Sequence, residues 1–173
     1  MTATLAEREA PSAPSAAAIA RLIALGLPLA LLGGALGSQY LGGLVPCEMC
    51  YWQRWPHAAA IGLAALAFTA PAASQRSRTL TLLAALAIAI SGSIGVYHAG
   101  VELGIFKGLT TCMSLASGAS TAELLNSIMN APLVRCDQVQ FAFLGISMAG
   151  WNAILSLGSA AAIVLLTRRG AAR

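Results

Sequence analysis

Residues 44–78, LVPCEMCYWQRWPHAAAIGLAALAFTAPAASQRSR, open near two cysteines and close on two arginines, with an oily stretch between. From about residue 50 to residue 70 the run is long enough for a helix to cross a bilayer, which takes about 20 apolar residues. Its polar members, Gln53, Arg54 and His57, all fall in the first two turns. Pro71 and the polar residues up to Arg78 then end it as a short connection. The segment reads as a membrane span with its chemistry at one end and basic residues at the other.

Composition extends this reading to the whole chain. Of 173 residues, 58% are hydrophobic and 9% are charged, against about a quarter charged in a soluble domain. That leaves too little polar surface to wrap a water-soluble core, so lipid must cover the apolar side chains. Further runs at about 22–40, 80–101 and 141–166 have the same length class. The expected fold is an all-α membrane protein, a four-helix transmembrane bundle forming one domain over 19–167. Tails occupy 1–18 and 168–173, and outer loops fall at about 41–49 and 102–140. The first run is too long for a typical signal-peptide core, and Glu7 and Glu9 outnumber Arg8 ahead of Arg21, so it is read as a retained span.

The net charge of +4 is spread over segment ends, which speaks against a nucleic-acid face. Arg8, Arg21, Arg76, Arg78, Arg168, Arg169 and Arg173 fall on one side of a four-span layout; Lys107 and Arg135 fall on the other, with Arg54 near that boundary. Basic residues favour the cytoplasmic side. Both termini are therefore expected in the cytoplasm and the two longer loops outside. Within the second loop, Ser120 followed by Glu123 matches a capping box ahead of Leu124, Leu125, Ile128 and Met129. A short amphipathic helix is expected there, ending at Pro132, lying on the membrane or on the protein's own loops.

All four cysteines, Cys47, Cys50, Cys112 and Cys136, then fall on the outer side. An even number in an oxidising compartment invites two disulfides. Cys112 and Cys136 are too far apart in sequence for the second half of a usual Cys₄ zinc site. A loop of the Cys112–Cys136 size would be worth roughly 3 kcal/mol as a staple, but a C-x-x-C ring closes too small a loop to serve as one. Its usual use is redox exchange, because a helix N-terminus lowers the pKa of a thiol placed there. Arg54 follows Cys50 by one turn, and a cation at the membrane boundary is a functional candidate. No βαβ pattern surrounds the pair, so a redox pair at a membrane surface needs a lipid-soluble electron acceptor or donor.

At this point the residues resemble the DsbB family of bacterial inner-membrane thiol oxidases. The resemblance rests on PCEMCYWQR after the first span, YHAGVE at the end of the third, the two later cysteines, and CDQVQFAFLGISMAGWNA leading into the fourth. It implies that Cys112 exchanges with a periplasmic DsbA-like, thioredoxin-fold oxidase. It further implies that electrons pass from Cys112–Cys136 to Cys47–Cys50 through a Cys47–Cys136 link, and then to a quinone, ubiquinone or menaquinone. Arg54, His98 and Met148 are the implied quinone contacts, and no metal is assigned. His57, one turn deeper than Arg54, is a further candidate. Trp52, Trp55 and Trp151 read as interface anchors, and Glu102 as a water-boundary residue.

One departure from the family pattern is Glu48-Met49 between the paired cysteines, where two apolar residues are common. A carboxylate beside Cys47 disfavours its thiolate, so Glu48 is expected to shift the potential of the pair. Competing readings are a four-thiolate metal-binding membrane protein, a structural bundle with stapled loops, and a vitamin-K-epoxide-reductase-like quinone enzyme. In the last of these the C-x-x-C lies toward the final helix, unlike here.

Overall fold

A computed structural model describes residues 14–108 and 134–170. Four helices carry the architecture: α1 (Ala16–Tyr40), α2 (Glu48–Ala67), α3 (Gln75–Glu102) and α4 (Met148–Arg169). α1 and α3 each pack against both α2 and α4, while α1 and α3 meet only weakly across the diagonal. Each helix begins where a side chain can take up an orphan N–H. Ser15, Ser74 and Ser147 cap α1, α3 and α4 through their hydroxyls, and Cys47 caps α2 through its sulfur.

α1, α3 and α4 are long and apolar enough to cross a membrane. α2 is less apolar than these because Glu48, Gln53, Arg54 and His57 crowd its first half. The side-chain distribution is the reverse of a soluble bundle. Large residues such as Leu22, Leu29, Leu86, Ile90, Ile154 and Leu165 point outward, whereas alanines at 20, 24, 60, 64, 84, 85 and 160 fill the centre with Ile88 and Ile163. With lipid outside, nothing drives large apolar groups inward, and small residues let backbones approach.

α3 and α4 approach each other closely. A Cβ on Gly92 would meet Leu157 Cγ at 2.9 Å, and one on Gly95 would meet the Ala149 carbonyl oxygen at 3.0 Å and the Ala153 nitrogen at 3.1 Å. At the end remote from the cysteines, Arg21 donates to the carbonyls of Ala67 (3.2 Å) and Ala70 (2.9 Å) and lies over the Phe68 ring. It thereby satisfies carbonyls left open at the C-terminus of α2.

The sequence placed the start of the fourth span near Phe141, but α4 begins at Met148. The intervening residues make a tight hairpin, β1 (Ala142–Phe143) antiparallel to β2 (Ile146–Ser147), with Phe143 opposite Ile146. Leu144 and Gly145 turn it with positive φ of 52° and 77°, the backbone a two-residue hairpin turn demands. Trp151 Nε1 donates to the Phe143 carbonyl at 3.0 Å, which pins the hairpin to the first turn of α4. The expected loop helix at 120–132 lies outside the described residues.

Gly95→Leu should lower the melting temperature in detergent, at a cost of about 1–3 kcal/mol, because the atoms it meets belong to the α4 backbone. Gly158→Leu, at a position with nothing within 4 Å of a new Cβ, should leave it nearly unchanged. Equal melting temperatures for both variants would refute the close-crossing account.

Candidate active site

The local fold of α2 makes Cys47 both cap and reactive group. Its backbone is extended (φ −75°, ψ 173°) and its Sγ accepts from the Cys50 N–H at 3.3 Å. The same turn brings Cys50 Sγ to 3.0 Å from Cys47 Sγ. Two sulfurs this close cannot both carry charge, and the hydrogen bond with Cys50 pushes the Cys47 thiol well above its ordinary range. The two face different surroundings: Cys47 is 4% exposed, and Cys50 is only half-buried.

Cys47 looks toward α3 and the segment that precedes the hairpin. It forms one buried cluster with Met49, Val101 and Cys136. His98 Nε2 lies 3.6 Å from Cys47 Sγ, and the backbone of Cys136 hydrogen-bonds His98. Glu102, one turn on, places Oε1 3.8 Å from His98 Nε2, and its side chain is only 8% exposed. Its other oxygen, Oε2, is buried with no hydrogen-bond partner. Glu102 thus turns its carboxylate inward at the end of α3, next to the exposed residues 103–108. Beside Cys136, the exposed Arg135–Asp137 ion pair holds the Asp137 carboxyl below its ordinary range.

Cys50 packs on the edge of the same cluster, and Arg54 reaches from it toward α1. Arg54 donates to Gln39 Oε1 and to the Ala35 carbonyl at 3.2 Å, and its guanidinium lies 5.1 Å from the Tyr51 ring centroid. These contacts hold a cation beside the sulfur. A mainly apolar cavity of about 620 Å³ opens here, with Cys47, Cys50, Arg54, His57, His98 and Met148 in its walls. The volume lies within the range of small-molecule sites, roughly 300–1,000 Å³.

Behind the cavity runs a row of buried amides and imidazoles. Gln53 Nε2 is 2.9 Å from His98 Nδ1 and donates to the Met49 carbonyl at 3.1 Å. Asn152 Nδ2 donates to Gln53 Oε1 at 2.7 Å and to the Ser91 carbonyl at 3.2 Å. Asn152 Oδ1 accepts from Ser156 and lies 2.9 Å from His57 Nε2. Ser91 closes the set by donating to the Gln53 carbonyl at 2.8 Å. Three helices are thus joined by polar contacts where lipid would offer none.

The structure gathers most of the sequence-derived candidates at one place. Cys47, Cys50, Cys136, Arg54 and His98 meet at one end of the bundle, and Met148 and His57 join them at the cavity. Cys112 lies outside the described residues. Glu48 is exposed while Met49 is fully buried, so the carboxylate between the cysteines faces water. Sequence reasoning missed Gln39, Gln53 and Asn152. A polar residue alone in an apolar run is the signal that could have found Asn152, because such residues face the bundle interior.

Replacing Asn152 by Leu strands Gln53 Oε1 and the Ser156 hydroxyl without their partner. Such groups cost about 1–3 kcal/mol when buried unpaired, so the variant should unfold at clearly lower temperature in detergent. Ser159→Ala, which loses one local bond to the Ser156 carbonyl, should not. An unchanged melting temperature for Asn152→Leu would sink the network's structural role.

Comparison with known proteins fits this geometry. Residues 17–166 match the family described as disulfide bond formation protein DsbB. Disulfide bond formation protein B from Shewanella sp. (strain MR-4) is 29% identical over 150 residues, covering 83% of this chain and 83% of that protein. The protein of the same name from Shewanella sp. (strain MR-7) matches to the same extent. An uncharacterized protein of Rickettsia prowazekii (strain Madrid E) is 25% identical over 142 residues, covering 80% and 81%. No solved structure gives a significant match. With the family match spanning all four helices and the cysteine site, the chain belongs to the DsbB family of disulfide bond formation proteins.

Proposed function

We propose that the protein is a thiol oxidase of a bacterial inner membrane that reoxidises a periplasmic DsbA-like dithiol protein and passes the electrons to a membrane quinone. The observation that carries this reading is the place of the C-x-x-C, between an apolar cavity and a third cysteine. Cys47, Cys50 and Arg54 all line the cavity, and the cluster that buries Cys47 against Cys136 also takes in Cys50. A quinone would supply a two-electron acceptor soluble in the bilayer. The cavity suits such a group by its apolar walls, with a few polar side chains at one end.

Each residue then has a task. Cys136 and Cys112 form the loop pair that exchanges with the partner, and each turnover leaves one disulfide in that partner. Cys47 accepts the exchange from Cys136, and Cys50 presents its sulfur to the cavity. Two electrons and two protons leave through the Cys47–Cys50 dithiol as its disulfide re-forms. Arg54, already oriented by Gln39 and the Ala35 carbonyl, stabilises negative charge that develops beside it without having to reorganise. Met148 gives the cavity an adaptable apolar wall. In the same reading α2 is the fourth span, both termini lie in the cytoplasm, and the cysteine end faces the periplasm.

Purified protein supplied with a reduced thioredoxin-fold oxidase should reduce quinone, and Cys50→Ser and Cys112→Ser should each stop turnover. Arg54→Met should lower kcat by about a hundredfold, the scale of losing one preorganised charge-stabilising donor. Wild type with intact disulfides and a competent partner that leaves quinone oxidised would overturn the proposal. The orientation is checked separately with Ala73→Cys in a chain whose four cysteines are serine. A membrane-impermeant maleimide should label it only after the inner membrane is opened; labelling of intact spheroplasts would invert the topology.

A further inference from the structure

Among the described residues, Cys47, Cys50 and His98 bring three potential metal-ligand atoms within 4.8 Å of one another. Two thiolates and an imidazole suit Zn²⁺, and the unpartnered Glu102 Oε2 could add a fourth ligand. Whether His98 can serve depends on which of its nitrogens holds the proton, and the surrounding hydrogen bonds decide this.

A backbone carbonyl can only accept. Asn152 therefore turns its NH₂ toward the Ser91 carbonyl, and its oxygen toward Ser156 and His57. Gln53 is fixed twice over. Its NH₂ must face the Met49 carbonyl, and its oxygen must accept from Asn152. The second N–H of that NH₂ is then left for His98 Nδ1, at 2.9 Å. Nδ1 is the acceptor, so in the neutral ring the proton sits on Nε2. That N–H is left for the Cys136 backbone carbonyl, with Cys47 Sγ at 3.6 Å and Glu102 Oε1 at 3.8 Å beside it.

We propose that Gln53, held by Asn152 and the Met49 carbonyl, is a positioning residue that fixes the His98 proton on Nε2, directing this N–H at the Cys136 carbonyl beside the Cys47 sulfur and denying the Nε2 lone pair to a metal ion. A cation at Nε2 would move the ring proton to Nδ1, against an N–H of Gln53. Metal-bound histidines usually donate their other N–H to an acceptor, and here that place is taken by a donor. The dithiol is thereby guarded against Zn²⁺ in its reduced form, which is the form that would otherwise capture it. The relevance to turnover rests on the redox reading of Cys47–Cys50; the tautomer and the metal affinity do not.

The test uses full-length protein in detergent, reduced under anaerobic conditions. Histidine ¹⁵N resonances, assigned with His98→Ala, should show Nε2 protonated and Nδ1 bare. A proton on Nδ1 would overturn the proposal outright. Zn²⁺ retention against a chromophoric chelator is then compared for wild type, Gln53→Met and Gln53→Met/His98→Ala. Gln53→Met keeps the side-chain volume and removes the opposing N–H. It should bind Zn²⁺ at least about tenfold more tightly than wild type, a change of about 1.4 kcal/mol, and the double variant should lose the gain. Equal affinity in wild type and Gln53→Met, or a gain that survives loss of His98, would refute it. A merely structural role for Gln53 predicts weaker binding by the variant, never tighter. Neither readout uses quinone, so failure here and failure of the oxidase reading are separable.

Discussion

The hydrogen bond from Asn152 to Gln53 is the contact on which the rest of the site depends. It joins α4 to α2, and through Ser91 both are joined to α3. In water such an amide pair would contribute little net stability, because each partner could bond to solvent. Inside a bundle covered by lipid there is no such alternative, and every member must find its partner in the protein. The pair therefore sets the rotation of three helices about their axes. That rotation brings Cys47, Cys50 and Arg54 to the cavity, with His98 and Cys136 beside Cys47.

The apolar part of the bundle allows this arrangement without dictating it. Alanine and glycine at the crossings bring the backbones together but specify little, since small smooth surfaces fit in several registers. Gly92 and Gly95 bring α3 against α4 at the level of Asn152, where amide and serine are within reach. Close approach and polar register thus reinforce each other. The opposite end is held differently, by Arg21 bonded to the last carbonyls of α2. The two ends of the bundle are fixed by polar contacts and the middle by small residues.

Much of this was legible in the sequence, and the gaps have physical reasons. The apolar runs are long, and Ser15, Ser74 and Ser147 stand at helix starts where hydroxyls are favoured. The C-x-x-C before Arg54 and the YHAGVE stretch marked the site, and the fold brings Arg54, His98 and three of the four cysteines to one end. The start of α4 was misplaced because Phe141 to Ser147 is as apolar as a helix. The hairpin there depends on positive φ at Leu144, a residue that does not advertise it. Gln53 and Asn152 stayed hidden because a single amide in an oily helix shows no period. Their partnership crosses between helices far apart in the chain, which local pattern cannot display.

The position of the cysteine pair on its helix accounts for its asymmetry. One residue before the helix, Cys47 has its sulfur folded over the first turn, where it accepts the Cys50 N–H and is sealed by Met49, Val101 and Cys136. One turn later, Cys50 is inside the helix and points along the same face as Arg54, into an apolar space. A pair placed mid-helix would give both sulfurs similar surroundings and would leave neither one capping N–H groups. A pair on a loop would lose the fixed 3.0 Å contact. The helix start brings both sulfurs to the cavity wall and to the cluster that holds Cys136, with Cys47 the more buried of the two. It is also where the helix dipole and Arg54 both favour negative charge, so the geometry that brings the pair to the cavity is the geometry that makes it reactive.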